Sequence, residues 1–290
     1  MSETAQAQIK PGVYYNVSNE DYHSGPGISK SGLWTIHAKT PAHFKYPPEK
    51  DEESTQAKAT KDFGTAAHIA ILEPDTFEKR VVRGPVDRRG NKWKDLAEAC
   101  EIDGKTLLIE KQYDDVLAMR DAVHANAWIN SIITGGKPEI EASGYWIDPE
   151  TGMLCRCRPD LYRADIGIML DLKSTESAKA DDFARSVYNY GYHAQEAHYT
   201  DGYTALGRKI EGVVFLAWEK KSPYAFQVFE LPPSIVDEGR AIMRSALNTY
   251  AECVRSNQWP GYPDGVQELK FKRWHYTMTE APNGLDEDAA

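Results

Sequence analysis

Cysteine is scarce and scattered in this 290-residue chain: Cys100, Cys155, Cys157 and Cys253 include no C-x-x-C pair. That spacing excludes the common zinc-ribbon and thioredoxin-like arrangements, and reduced structural thiols are expected instead. Cys155 and Cys157, two apart, would share one face of a strand. Long apolar runs are missing as well. The longest, Val213 to Trp218, is far too short to span a bilayer. Met1 to Lys10 lacks the cationic-then-apolar order of a secretory leader or transit peptide, so a cytoplasmic protein without a membrane partner is expected. No G-x-x-x-x-G-K-S/T string occurs, so nothing signals a need for ATP. Repeats and low-complexity linkers are absent too, which favours one domain over residues 11–279, between polar ends at 1–10 and 280–290 that read as disordered.

An overall basic surplus is also missing. Lys and Arg total 34 against 44 Asp and Glu, a net charge of -10, whereas nucleic-acid binders usually carry a basic footprint. The distribution softens this objection. Between Lys79 and Lys94 stand Lys79, Arg80, Arg83, Arg88, Arg89, Lys92 and Lys94 against the single acid Asp87, with Trp93 among them. Acid collects in Glu49 to Glu53 and from Glu280 to Asp288. A local basic patch on an acidic protein can still hold phosphates. Arg88, Arg89, Lys92, Trp93 and Lys94 are thus candidates to grip DNA, with Trp93 stacking on a base; the alternative is a solvated loop and helix start.

What is present suffices for a packed core, with 41% hydrophobic residues. Gly12 to Ser18 reads as a short strand. Ser29 or Ser31 can cap a helix through Leu33, Trp34 and Ile36, and Pro41 opens another. An exposed acidic loop, Pro47 to Ser54, leads into an Ala-rich helix through Phe63, Ala67, Ile69 and Leu72. Asn91–Cys100 and Glu110–Ile133 are helical by spacing. The period then shortens, and Glu139–Ile147, Met153–Tyr162 and Ile166–Lys173 read as three successive strands. Ala178–Asn189 and His193–Arg208 return to helix, Gly212–Trp218 and Tyr224–Leu231 form a further strand pair, and Ile235–Val254 is a closing helix.

Chemistry concentrates in Arg158-Pro159-Asp160 and Asp171-Leu172-Lys173. Alternation along a strand puts Asp171 and Lys173 on one face, with Asp160 arriving from the neighbouring strand. Converging carboxylates make the hard, oxygen-rich pocket that Mg²⁺ prefers. A lysine two positions on can donate to the attacking water or the phosphate. Each fragment alone also fits a turn acid and an exposed ion pair. Further along, Gln195 and Tyr199 share a helix face. His68 lies on the Ala-rich helix, where a packed or capping role is equally open, and Glu141 adds an acid with Glu139 two residues away. Tyr188, Tyr190 and Tyr192 could line a DNA channel or simply pack.

Pro159-Asp160, with ten residues before Asp171-Leu-Lys173, resembles the PD-(D/E)XK nuclease signature. The wider ordered set comprises Gly27-Ile-Ser-Lys-Ser, Thr40-Pro-Ala-His43, Gly64-Thr-Ala-Ala-His68, Glu141, Arg158-Pro-Asp160, Asp171-Leu-Lys173, and Gln195 with Tyr199. It resembles the RecE, or exonuclease VIII, nuclease domain, a relative of phage lambda exonuclease, from about Pro11 to Trp259. The lack of a cysteine cluster near the C-terminus argues against the iron–sulfur branch of that superfamily.

The resemblance implies an α/β (α+β) fold with a restriction-endonuclease-like core, a central mixed β-sheet flanked by helices. It implies that Asp160, Asp171 and His68 bind Mg²⁺, with Mn²⁺ able to substitute, and that the Leu172 carbonyl is a backbone ligand. Lys173 becomes the catalytic lysine, Glu141 assists metal or water, and Gln195 and Tyr199 orient lysine and phosphate. The implied activity is 5′ to 3′ exonucleolytic hydrolysis from the ends of double-stranded DNA, by a ring-shaped homo-oligomer working with a single-strand annealing protein in recombination. A structure-specific or restriction-like endonuclease of the same fold, or an inactive scaffold that binds DNA ends, are the rivals.

Overall fold

The computed structural model describes residues 9–48 and 54–269. The expectations for the first eight residues, for Glu49 to Glu53 and for the tail from Glu280 lie outside the described residues. Near the N-terminus β1 (Gly12–Tyr14), α1 (Asn19–Ser24), β2 (Ile28–Ser29), α2 (Lys30–Ala38) and α3 (Pro41–Lys45) follow in quick succession. The hydroxyls of Ser18, Ser29 and Thr40 start the three helices by accepting from the backbone N–H of Asp21, Gly32 and His43. Next come α4 (Thr55–Leu72), α5 (Phe77–Arg80), β3 (Val81–Arg83), α6 (Asn91–Ile102), β4 (Thr106–Leu108), α7 (Glu110–Ala125) and α8 (Ala127–Thr134). The single helix expected over Glu110–Ile133 is therefore two. Asn126 divides them, its side chain accepting from Trp128 and Ile129 N–H to begin α8. Capping outweighs a continuous apolar spacing at this position.

The strands that follow are β5 (Pro138–Ile140), β6 (Ser143–Ile147), β7 (Leu154–Cys157), β8 (Leu161–Arg163) and β9 (Ile168–Thr175); then α9 (Ala180–Tyr190), α10 (Tyr192–Ala205), β10 (Gly212–Glu219), β11 (Phe226–Phe229) and α11 (Pro233–Ser256). A five-stranded sheet runs β11-β10-β9-β8-β5, and a four-stranded one runs β1-β6-β7-β2, with β3 and β4 paired separately. The five-stranded sheet is mixed, since β9 and β10 are parallel and their other neighbours antiparallel.

Two expected strands are each broken. Glu139–Ile147 divides into β5 and β6, and Met153–Tyr162 into β7 and β8, so one long antiparallel pair passes from one sheet into the other. Its ladder stops at Gly144↔Cys157 and resumes at Ile140↔Leu161. Pro159 has no N–H for the ladder, and Glu141 takes a positive φ of 47°. Glu141 N–H still donates to the Asp160 carbonyl at 3.0 Å, holding the two chains together across the break. Asp160 therefore lies in the link between β7 and β8, not on a strand as expected.

The five-stranded sheet separates two apolar clusters. Leu161, Leu170, Leu172, Val214, Leu216 and Trp218 pack with Ala66 and Ala70 of α4, Met119 of α7 and Ile129 of α8. Met169, Val213, Phe215 and Ala217 face Phe183, Ala194, Tyr203 and Leu247 instead. Period-two alternation along β9 thus puts Asp171 and Lys173 on the α9–α10 side. Gly191, at φ 64°, supplies the left-handed turn that swings the chain from α9 into α10. Among the described residues no helix is long and apolar enough to cross a membrane.

Candidate active site

The expected acids and lysine meet where the two sheets part. Beyond Leu161 the edge of β9 has lost β8, and the Asp160 carboxylate fills the gap, its Oδ2 accepting from Leu172 N–H at 2.7 Å. In a strand the N–H and C=O of one residue point to the same side, so the Leu172 carbonyl opens toward the same gap. Asp171 carries an ion pair with Lys173 and a hydrogen bond from Gln195 Nε2. Lys173 Nζ also donates to Gln195 Oε1 at 3.1 Å and stands over the Tyr192 ring at 4.5 Å. One amide on α10 therefore fixes both the carboxylate and the ammonium of β9.

Burial and the neighbouring Asp171 charge raise the Asp160 carboxyl to about 6, against the opposing pull of His68, Lys173 and the Leu172 N–H. Burial depresses the Lys173 ammonium, but Asp171 and Asp160 outweigh it and hold the group above its ordinary value, fully charged. Burial lifts the Tyr199 hydroxyl well above its usual range, with Tyr22 and Asp171 reinforcing it, so it remains a proton donor. Two close carboxylates share one ammonium, which leaves the site short of positive charge.

His68 Nδ1 lies 3.8 Å from Asp160 Oδ2, on the opposite side from Lys173. His68 and Glu141 line one cleft of about 270 Å³ beside the sheet break. Glu139 is tied to Arg208 at 2.9 Å, which leaves Glu141 as the acid of the pair that faces this cleft. Among the described residues no three His, Cys, Asp or Glu side chains are grouped to hold a metal ion. The donor chemistry nonetheless fits a hard cation: two carboxylates whose mutual repulsion is felt at Asp160, and a backbone carbonyl aimed the same way. All four cysteines are free and buried, with burial pushing the Cys155 thiol up to about 12; Cys155 and Cys157 share one cluster, as their spacing predicts.

The basic patch is less free than its sequence implies. Arg80 pairs with Glu73, Arg83 with Glu110 and Asp114, and Arg89 with Asp87. Asp87 is the patch's own acid, but Glu110 and Asp114 come from α7 and Glu73 from just past the end of α4, so chain folding supplies counter-charges that a count over residues 79–94 misses. Arg88 lies over the Trp93 ring at 5.3 Å while bonding Gln112, and both line a second cleft of about 310 Å³ with Lys58 and Lys105. Lys92 and Lys94 are exposed at the start of α6. Of the tyrosines, Tyr192 packs by Lys173, whereas Tyr188 and Tyr190 are exposed.

Sequence reasoning missed Lys30. It opens α2, donates to the Tyr190 carbonyl at 2.6 Å and lies over Trp34. Burial and the Lys173 charge lower it to about 8, which places it in the electrostatic reach of the site. The motif around it was visible; its approach to β9 depends on the α2–α10 packing.

Residues 29–271 match the family model of a PDDEXK-like domain of unknown function, DUF3799. No curated protein matches the chain. Among solved structures, a candidate exonuclease from Eubacterium rectale aligns with a TM-score of 0.54 and 15% identity over 87% of this chain and 97% of its own. A phage-related exonuclease from Haemophilus somnus 129PT aligns at 0.33 and 9% identity over 83% and 100%. The first likeness is one of fold; the second is too distant to carry an argument.

Proposed function

The chain belongs to the DUF3799 family of PDDEXK-like domains, and we propose that it is a Mg²⁺-dependent exodeoxyribonuclease acting at the ends of double-stranded DNA. The observation that carries this reading is the cation-poor pair of half-buried Asp160 and buried Asp171 beside a charged lysine at the edge of a split sheet. In this reading Asp160 and Asp171 hold the metal, with the Leu172 carbonyl and His68 as further donors and Glu141 assisting from the adjoining cleft. The bound ion lowers the pKa of water and neutralises charge on the phosphate oxygens. Lys173 donates to the phosphate as negative charge develops. Gln195 keeps Lys173 and Asp171 in register, so the ammonium cannot swing away when DNA enters. Tyr199, held protonated, donates a hydrogen bond to the phosphate.

The finer parts of the proposal rest on the resemblance to the RecE nuclease domain. They are 5′ to 3′ polarity, a single-stranded product for recombination, Mn²⁺ as substitute metal, a ring-shaped homo-oligomer and a single-strand annealing partner. Arg88, Arg89, Lys92, Trp93 and Lys94 would hold the strand away from the acids, with Arg88 and Trp93 already stacked. Linear duplex labelled at either its 5′ or its 3′ end tests polarity. Early mononucleotide release from the 5′ label alone, in Mg²⁺ and not in EDTA, is expected. Early release from the 3′ label overturns the direction.

A further inference from the structure

Glycine inside a helix destabilises it relative to alanine, so a helical glycine calls for a reason. Three of those described have one in packing. A Cβ at Gly32 would lie 2.6 Å from Ile28, at Gly202 2.5 Å from the Trp146 ring, and at Gly239 2.5 Å from the His193 backbone. Gly64, in the middle of α4, is different. Beyond its chain neighbours and the backbone of its own helix, a Cβ there would meet no atom within 4 Å.

The space beside Gly64 is the cleft of about 270 Å³ that His68 and Glu141 also line. Lys61, Gly64, Thr65 and His68 follow one another along α4 at helical spacing, so they form one face. Lys58, a turn earlier, belongs to the neighbouring cleft closed by Arg88 and Trp93. Among the described residues neither Lys58 nor Lys61 forms an ion pair, whereas most arginines of the basic patch do. From Lys58 to His68 the helix rises ~15 Å, the length of a few nucleotides. At its far end His68 stands 3.8 Å from Asp160.

We infer that the sugar–phosphate backbone of a DNA strand runs along this face of α4, from the Trp93 cleft to the acids, and comes closest to the protein at Gly64. The two lysines provide the charge complement for phosphates. The missing side chain provides room for the strand to lie against the helix backbone. This inference rests on the nuclease reading for its substrate, and Gly64 is a positioning residue, touching the strand and not the reacting atoms.

Gly64→Ala and Gly64→Leu in the full chain test it. In EDTA, where no cleavage occurs, affinity for a fluorescent duplex with a single-stranded overhang is measured by anisotropy; in Mg²⁺, KM and kcat are measured separately. Alanine is expected to raise Tm by about 2–4 °C, because nothing obstructs its Cβ in the free protein, while weakening DNA binding. Leucine is expected to raise both Kd and KM at least about tenfold with little change in kcat. Unchanged Kd and KM for the leucine variant overturn the inference, as does a lower Tm for the alanine variant, which would reveal a packing demand at Gly64. A wild-type protein that binds DNA in EDTA but never cuts it removes the nuclease reading while leaving the Gly64 comparison readable. One that binds no DNA removes both.

Discussion

Asp160 ionises against the resistance of its surroundings, and that resistance can be measured. Its carboxyl stands at about 6 instead of 3.8 because it is largely withdrawn from water, with 19% of its side chain exposed, and faces the Asp171 charge. Below about pH 4 the group is protonated in both folded and unfolded chains and the shift has no effect. Between about pH 4 and 6 the folded protein keeps a proton that the unfolded chain has lost, so stability falls as pH rises. Above about pH 6 the full cost is present. At ~1.4 kcal/mol per pH unit it amounts to about 3 kcal/mol. Asparagine carries no charge at any pH and keeps an oxygen for the Leu172 N–H. Asp160→Asn should therefore be more stable than the wild type at pH 8 in EDTA, by up to about 3 kcal/mol in urea unfolding. The gain should vanish by about pH 4. Saturating Mg²⁺ should narrow it by stabilising only the wild type, and the variant should be inactive. An asparagine variant that is less stable at pH 8, with no pH dependence in the difference, would show that the fold already satisfies the Asp160 charge and would refute the cation-poor site.

Gln195→Ala removes the donor to Asp171 and the acceptor for Lys173; steady-state assays should show kcat lower by roughly 10–100-fold with Tm little changed. Arg244→Ala leaves Asp148, whose side chain is only 4% exposed, without its two guanidinium hydrogen bonds of 2.8 and 2.9 Å. Urea unfolding should show a loss of about 2–3 kcal/mol at pH 7, given that Arg244 itself is partly exposed. Burial would raise Asp148, but Arg244 and Thr151 outweigh it and hold it at about 2; the loss should therefore fade as pH falls from about 4 to 2. If Lys92 and Lys94 touch phosphates, each alanine variant should reduce the slope of log K against log salt by about 0.9, and an unchanged slope removes that lysine from the interface.

Most helices and the stretches of chain that form the central strands were legible because capping residues and apolar period are local signals. Asp171 and Lys173 were placed correctly on one face by alternation alone, and the i, i+4 spacing of Gln195 and Tyr199 put the amide where it meets them. What local reading missed was non-local. The break at Glu141 and Asp160 looks like continuous strand until the partner chains are known to belong to different sheets, although Pro159 was a visible warning. Asn126 was read through because its neighbours keep helical spacing. The counter-charges Glu110 and Asp114 lie 27 and 31 residues from Arg83 in sequence, and only the packing of α7 against β3 brings them to it. Lys30 reaches the site through α2, an element whose place over α10 no short motif encodes.

The central claim is end-dependent, metal-dependent hydrolysis at Asp160, Asp171 and Lys173, and the most direct measurement sets linear duplex DNA beside the same DNA as a covalently closed circle. The account predicts nucleotide release from the linear form in Mg²⁺, none from the circle, and none from either with EDTA or with an Asp171→Asn variant that remains folded. Cutting of the closed circle, or an Asp171→Asn variant as active as the wild type, would contradict it.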